Sequence, residues 1–409
     1  MILEEAARTL NRRGVTETSL ADVARSLGIT RTALYYYFQD PQDLVFQCYS
    51  HTCNVMAARL VEATSQGGNA VEVIARFIDG VLDPEQPELA VISEAACLGE
   101  DSRTAIVEQY EGLITQIGAI LRLGIDRGQV RDCDTRLAAM LTVGLTSWIP
   151  LQKRWSAELA DSHASLVAAA KTLLFDGIAV DRRQGSNYRP LSLAPADIAR
   201  SDLFDAAAVA LAKREALLAS ASWLFNLKGV DATSLEEVAA RVGVTKRVIY
   251  HNVGDKRELV VACYLRAQTF ARSMIDLASS HPGKRAEAFC LLMHAHAEAR
   301  LREDIAPLSG LVGLDTLPDD ARDAGNETAS YLLDTANRMF REGQAEHSIR
   351  AMDIGPLLLV VPGVVEWIPK WLSSSGPEQR SQIARELADF CRIGLRPAWI
   401  PAPTRSNSG

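Results

Sequence analysis

The sequence has no excess of positive charge. Lys and Arg number 43 against 51 Asp and Glu, a formal net charge of −8. This argues against a protein basic over its whole surface, although a local basic face stays open. There is no C-x-x-C pair. The seven cysteines (Cys48, Cys53, Cys97, Cys133, Cys263, Cys290 and Cys391) are odd in number and scattered, as reduced core thiols are, rather than a disulfide framework or zinc site. Long apolar runs are missing too: Leu357 to Val365 is interrupted by Pro362 and falls far short of the ~20 residues that span a bilayer. The start, MILEEAART, places Glu4 and Glu5 where a signal peptide needs basic and then apolar residues, so a cytoplasmic protein without a membrane segment is expected. No phosphate-cradling glycine loop, nucleophile elbow, H-E-x-x-H or paired-carboxylate signature appears. The expectation is therefore no enzyme, no catalytic residue and no cofactor.

What is present is an ordinary globular composition, 48% apolar and 23% charged over 409 residues, which excludes wholesale disorder. At roughly 150 residues per domain the length alone suggests two or three domains. A repeat sharpens that count. Shifting the chain by 215 residues aligns Gly14–Tyr49 with Gly229–Tyr264, and 15 of those 36 positions are identical, among them Gly14, Thr18, Ser19, Leu20, Val23, Ala24, Gly28, Thr30 and Tyr35. The register persists further on, where Gly128-Gln129 matches Gly343-Gln344. After a short slip Trp148-Ile149-Pro150 matches Trp367-Ile368-Pro369. One unit of ~200 residues is written twice. Between the copies, Asp181 to Pro195 has linker composition, and PAPTRSNSG at the end reads as a disordered tail. Elsewhere apolar residues recur at three- and four-residue spacing without sustained alternation, so the fold class is all-α.

Each copy opens with a helix-turn-helix pattern. Thr18 or Ser19 can cap a short helix whose inward face carries Leu20, Val23, Ala24 and Leu27. Gly28 supplies the positive φ that ends it. Thr30 then caps a second helix that sends Leu34 back to the same core. Small Ala24, four residues before Gly28, allows the two helices to cross closely, which a DNA-binding helix-turn-helix requires. Copy two repeats the pattern with Val238, Ala239, Gly243, Val244, Thr245 and Ile249. A plain helical hairpin with a glycine turn shares the pattern once, but its occurrence at equivalent places in both copies favours DNA binding.

Residues Gly14 to Leu44, centred on Leu34-Tyr35-Tyr36-Tyr37-Phe38-Gln39-Asp40, resemble the N-terminal domain of the TetR/AcrR transcriptional regulators, whose recognition helix ends in a similar run. Val248-Ile249-Tyr250-His251-Asn252-Val253-Gly254-Asp255-Lys256 is a looser match. The resemblance implies a three-helix DNA domain followed by a larger helical ligand-binding and dimerisation domain, in tandem. The expected domains are residues 1–45 and 213–262 for DNA, 46–180 and 263–400 for regulation, 181–212 as linker and connecting helix, and 401–409 as tail. In the family the last two helices form a four-helix interface between subunits. Here the two copies are expected to pack that way within one chain, as an intramolecular pseudo-dimer; association of whole chains into higher oligomers stays open.

A recognition helix offers its N-terminal residues to base edges and its flanks to phosphates. The candidates in copy one are Thr18, Thr30, Arg31, Thr32, Tyr35, Tyr36 and Tyr37; in copy two they are Thr233, Thr245, Lys246, Arg247, Tyr250, His251 and Asn252. Arg31, Lys246 and Arg247 suit guanine, Thr32 suits a thymine methyl, and tyrosine hydroxyls suit phosphates. The family's phosphate-binding lysine at the start of the next helix is matched by Lys256 but replaced by Pro41 in copy one. Residues 1–45 carry five Arg and six acids, net −1; residues 213–260 carry eight Lys and Arg and six acids, net +2. Copy two is expected to supply more of the salt-dependent affinity. Because the readers differ, an asymmetric double-stranded DNA operator is expected.

The resemblance also implies a small-molecule effector and a repressor. The Gly128-Gln129-Val130, Trp148-Ile149-Pro150 and Trp155 spacing resembles members that sense acyl-CoA thioesters or other hydrophobic acids, but no residue marks the pocket. A metal site at His294-Ala-His296-Ala-Glu298 is not expected, because only His294 and Glu298 share a helix face. The alternative function is a protein-interaction or scaffold module whose helix-turn-helix units no longer bind DNA.

Overall fold

The computed structural model describes residues 2–15, 18–151, 163–183, 188–191, 193, 205–310, 317–372 and 376–398. Trp155, linker residues 184–187, 192 and 194–204, and the tail at 401–409 lie outside the described residues. Copy one contains α1 (Ile2–Arg13), α2 (Leu20–Ser26), α3 (Arg31–Leu34), α4 (Pro41–Ser65), α5 (Ala70–Val81), α6 (Glu100–Asp126), α7 (Thr135–Leu151) and α8 (His163–Asp176). Copy two contains α9 (Ala206–Lys228), α10 (Leu235–Val242), α11 (Lys246–Asn252), α12 (Lys256–Ser279), α13 (Arg285–Leu301), α14 (Asp319–Ala345), α15 (Ile354–Val360), α16 (Ile368–Trp371) and α17 (Pro377–Ile393). No strand occurs among the described residues; one isolated bridge joins Ala179 and Ile349.

In each copy the first three helices form a small head with its own core. Ala6, Leu10, Leu20, Val23, Leu34 and Phe38 fill the first; Leu218, Phe225, Leu235, Val238 and Ile249 fill the second. The long α4 and α12 then run from head to body, with Asp40 and Asp255 capping their first turns. The expected domain limits at 45 and 213 therefore fall inside helices, α4 and α9. A continuous helix couples head to body more stiffly than a loop would.

The bodies of the two copies share one apolar core, from Met56 and Ile74 of copy one to Phe289 and Phe390 of copy two. Across the junction the contacts are reciprocal. The amides of Ile178 and Ala179 donate to the carbonyls of Cys391 and Arg392, at 3.0 and 2.8 Å. Those of Leu395 and Arg396 donate to the carbonyls of Leu174 and Phe175, both at 2.9 Å. Each of these residues has its counterpart 217 positions along the chain. The side chains repeat the symmetry. A Cβ on Gly144 would lie 2.3 Å from Trp367, and one on Gly363 would lie 2.8 Å from Trp148, so each indole occupies space that only glycine leaves on the opposite copy. Trp148 and Ile149 of α7 are buried.

The matching stretch in copy two is built differently. Leu357 to Trp367 is not one helix. Pro362 lacks the amide that continues a helix, so α15 passes into a 3₁₀ turn at Val361–Val364 before α16 begins. The whole segment Ile354–Trp371 has the length and mean hydropathy (1.2) of a membrane span, yet 67% of it is buried inside the protein.

Candidate nucleic-acid interface

The heads are shaped by their caps. Ser19 accepts from the Asp22 amide at 3.2 Å, while Asp22 accepts from the Ser19 amide at 3.3 Å; Ser234 and Glu237 make the same reciprocal pair at 3.1 and 2.9 Å. Such a box satisfies amides that the first helical turn would leave orphaned. The Ser19 hydroxyl also holds the Asp22 carboxyl below its ordinary pKa. Gly28 and Gly243, at φ of +65° and +73°, then turn the chain through the left-handed region, and Leu34 and Ile249 anchor α3 and α11 from below at 0% exposure.

Thr18 and Thr233 need correcting. Both are buried, and their hydroxyls donate to the carbonyls of Gly14 and Gly229 at 2.6 and 2.8 Å. They brace the turn before the cap and present nothing to a ligand outside. Their position next to the capping serine made them look like helix-start hydroxyls; the capping role belongs to Ser19 and Ser234 alone.

Most of the other sequence candidates lie exposed along α3 and α11. In copy one Thr30 caps α3 by accepting from the Ala33 amide at 3.3 Å. Arg31, Thr32, Tyr35, Tyr36 and Tyr37 are exposed, Tyr36 to 88%. The Arg31 guanidinium donates to the Tyr35 hydroxyl at 2.8 Å and lies over its ring at 5.6 Å. In copy two Thr245 precedes α11 without a side-chain cap bond. Lys246 pairs with Glu236 at 2.7 Å and sits 5.8 Å from the Tyr250 ring; the carboxylate raises the pKa of its ammonium. Arg247, Tyr250 and His251 are exposed. The Asn252 amide is turned inward, donating to the Val248 carbonyl at 2.7 Å, and Lys256 donates to the Asp231 carbonyl at 3.2 Å. Thus Arg247 stands open to a partner, while Lys246, Asn252 and Lys256 would have to exchange a present contact for one to DNA.

Sequence reasoning missed Asn11 and Asn226. Both are buried, and each spans from its head to a body segment. Asn11 donates to the Leu89 carbonyl and accepts from the Val91 amide, both at 2.8 Å; Asn226 donates to the Pro307 carbonyl at 2.9 Å and accepts from the Ser309 amide at 2.8 Å. The signal was available, because the two asparagines stand 215 residues apart, just upstream of the aligned block.

Two clefts of about 930 Å³ adjoin the heads. The first lies among α1, the Val81–Val91 segment, α7 and α8. Met56, Leu82, Val91 and Ile149 form its walls, and Arg8, Arg12 and His163 lie at its edge. The second is lined by α9, α12 and the linker residues Leu191 and Leu193. At His294 the structure shows a buried ring bonded to Tyr188 at 3.0 Å and lying 3.4 Å from Glu298. Among the described residues no group of three potential metal ligands occurs.

Comparison with known proteins follows the same division. The model of "Bacterial regulatory proteins, tetR family" matches residues 2–48 and again 217–263, and that of "Tetracyclin repressor-like, C-terminal domain" matches residues 282–395. The chain is 46% identical over 153 residues to the probable HTH-type transcriptional regulator ArpR of Pseudomonas putida, covering 34% of this chain and 72% of that protein. It is 25% identical over 169 residues to the HTH-type transcriptional regulator AcrR of Shigella flexneri, covering 38% of this chain and 76% of that protein. A crystal structure of AibR in complex with isovaleryl coenzyme A and operator DNA aligns over 42% of this chain and 95% of its own, at 20% identity and a TM-score of 0.37. With the family's N-terminal unit present twice and an ArpR-like stretch at 46% identity, the chain belongs to the TetR family of bacterial regulatory proteins and is a DNA-binding transcriptional regulator.

Proposed function

We propose that a single chain acts as the pseudo-dimeric, ligand-responsive repressor, placing two different reading heads on an operator whose half-sites differ. The observation that carries this reading is the reciprocal junction, in which the backbone bonds Ile178–Cys391 and Ala179–Arg392 are answered by Leu395–Leu174 and Arg396–Phe175, and the Gly144–Trp367 and Gly363–Trp148 contacts repeat across the two copies. A symmetric dimer of identical chains reads a palindrome because its two-fold axis maps one half-site onto the other. In this chain Arg31, Thr32 and Tyr36 stand where Lys246, Arg247 and His251 stand in the other head, so the halves need not match. Selection of bound DNA from a random pool tests this. Two unlike half-sites about one turn (~34–36 Å) apart, bound by a species of 44.5 kDa in light scattering, are expected. A palindrome bound by a pair of chains refutes it.

The cleft beside α1 is the proposed effector site. Its size falls within the ~300–1,000 Å³ of small-molecule pockets, and its apolar walls suit the acyl chain of a hydrophobic acid or its acyl-CoA thioester, with Arg12 on a rim that also carries Arg8, paired with Glu4 and Glu5, and the acids Asp83, Glu85 and Glu88. A ligand wedged there would move α1 relative to the body and so weaken operator binding. Linkage then requires the operator to weaken the ligand by the same factor. Thermal-shift titration with fatty acids and acyl-CoA thioesters, repeated with Met56→Trp to fill the cleft, checks the assignment: the shift should vanish in the variant.

A further inference from the structure

We infer that only copy one takes an effector, because copy two fills the matching space with its own side chains; the inference rests on the cleft beside α1 being the effector site. A symmetric dimer presents two equivalent pockets, whereas a fused pair is free to keep one. Ser147 of α7, Val91 after α5, and Thr52 and Met56 of α4 are among the residues lining the first cleft. Each has a counterpart. Glu366 matches Ser147, both directly preceding a junction tryptophan. Ser309 matches Val91, since each gives its amide to the asparagine of its head. Ala267 and Ala271 of α12 match Thr52 and Met56 in the 215-residue register.

In copy two the Glu366 carboxylate crosses that space, accepting from the Ser309 hydroxyl at 2.5 Å and from the Gly310 amide at 3.0 Å. Arg300 binds its other oxygen, and the two side chains are each only 9% exposed. Arg300 stands on the extension that gives α13 17 residues against 12 in α5. It also donates to His296 Nδ1 at 3.1 Å, and that ring stands edge-on to Phe270 at 5.6 Å. Trp223, matching Arg8 of the first rim, is 2% exposed. The small alanines of α12 leave room for these larger groups. Parting a buried ion pair strands a charge, so a ligand does not displace it. Two other spaces adjoin copy two, and neither replaces the filled one. The junction cavity lined by Glu366, Trp148 and Trp367 is about 40 Å³, room for a few waters but not an acyl chain. The cleft beside α9 and α12 equals the first in volume, yet no residue of α15–α17 lines it. Its charged walls close on themselves, Arg266 on Glu215 at 2.8 Å and Arg241 on Glu303. A ligand lodged there would not touch the junction.

Two measurements on the full chain test this. The first titrates it with cis-parinaric acid, an apolar acid that fluoresces when shielded from water. One molecule per chain is expected, bound without cooperativity. Met56→Trp should abolish binding, and Ser273→Trp, which blocks the cleft between α9 and α12, should leave affinity within about twofold. Two molecules per chain, or one that Ser273→Trp removes and Met56→Trp spares, overturns the inference. The second measurement needs no ligand. Val91→Cys and Ser309→Cys place near-isosteric thiols at matching positions, and their alkylation by iodoacetamide is followed peptide by peptide in a mass spectrometer. The thiol at 91 should react at least about tenfold faster, because the one at 309 is reached only through local opening. Rates within about twofold of each other would show an open space in copy two and overturn the inference. A parent that binds no cis-parinaric acid while the alkylation contrast holds refutes the effector reading of the first cleft and leaves copy two closed.

Discussion

Gly144→Ala places one methyl group where Trp367 already sits, and its effect can be worked from the geometry. The added Cβ would lie 2.3 Å from Trp367 Cδ1, 2.5 Å from Nε1 and 3.1 Å from the Gly363 carbonyl oxygen. Carbon atoms pack at ~3.5–4.0 Å, so the indole has to retreat by more than ~1 Å. It has little room, since Gly363 on its own copy is filled by Trp148. Overpacking of this kind costs ~1–3 kcal/mol, and the severity of the overlap puts the cost near the top of that range. Alanine returns ~1 kcal/mol by its better helix propensity in the middle of α7, leaving ~2 kcal/mol of net destabilisation. With an unfolding entropy of ~2.1 cal/mol/K per residue, a chain of this length loses about 2–3 °C in Tm. The decisive measurement is the same substitution in a Trp367→Ala background. There the indole is gone, the propensity gain is opposed only by the 3.1 Å approach to the Gly363 carbonyl, and Gly144→Ala should be neutral or stabilise by up to ~1 kcal/mol. Urea or thermal melts of the four proteins give the coupling directly. An effect of equal sign and size in both backgrounds would show that Gly144 is not the seat of Trp367 and would refute the reciprocal junction.

Arg247→Ala should weaken operator binding by about 10- to 100-fold if it reads a base, at ~1–3 kcal/mol per good contact, and gel shifts at two salt concentrations separate that from a phosphate contact, which would instead flatten the salt slope. Arg31→Ala should have a similar effect confined to the other half-site. Thr18→Val and Thr233→Val should each cost roughly 1 kcal/mol of head stability through the lost hydroxyl bond, while operator affinity at low temperature stays within twofold; a large affinity loss without a stability change would restore them as DNA contacts. His296 is held neutral to about 3 by burial and by the neighbouring Arg300 guanidinium. The unfolded chain therefore binds its proton first, and this contribution is complete above the unfolded value near 6.5 and lost as pH falls from there toward 3. Urea melts at pH 7.5 and 5.5 should differ by ~1 kcal/mol more in the parent than in His296→Gln.

The repeat, the all-α class and the helix-turn-helix could be read directly, because each is set by local chemistry: a capping serine, a glycine with positive φ, and apolar residues spaced to face one core. Ser19 and Gly28 carry that information whatever surrounds them. The outward-facing side chains were also legible, since Arg31, Tyr36 and Arg247 follow from helical phase once Leu34 and Ile249 are assigned inward. Thr18 and Thr233 were misjudged because a threonine beside a cap can bond forward into the helix or back to the preceding turn, and only the packed head decides between them. In the Leu357–Trp367 stretch the apolar residues report burial and Pro362 marks the break between α15 and α16.

Sequence by itself determined that one unit is written twice, that each begins with a DNA-reading motif, and that the two readers differ in charge. Tertiary structure alone decided how the copies meet and what holds the heads. Gly144 and Trp367 are 223 residues apart and Asn226 and Ser309 are 83 apart; no local periodicity couples such positions. An indole fits a glycine gap, or an amide finds its two partners, only after the helices carrying them have been brought together by burying a common core.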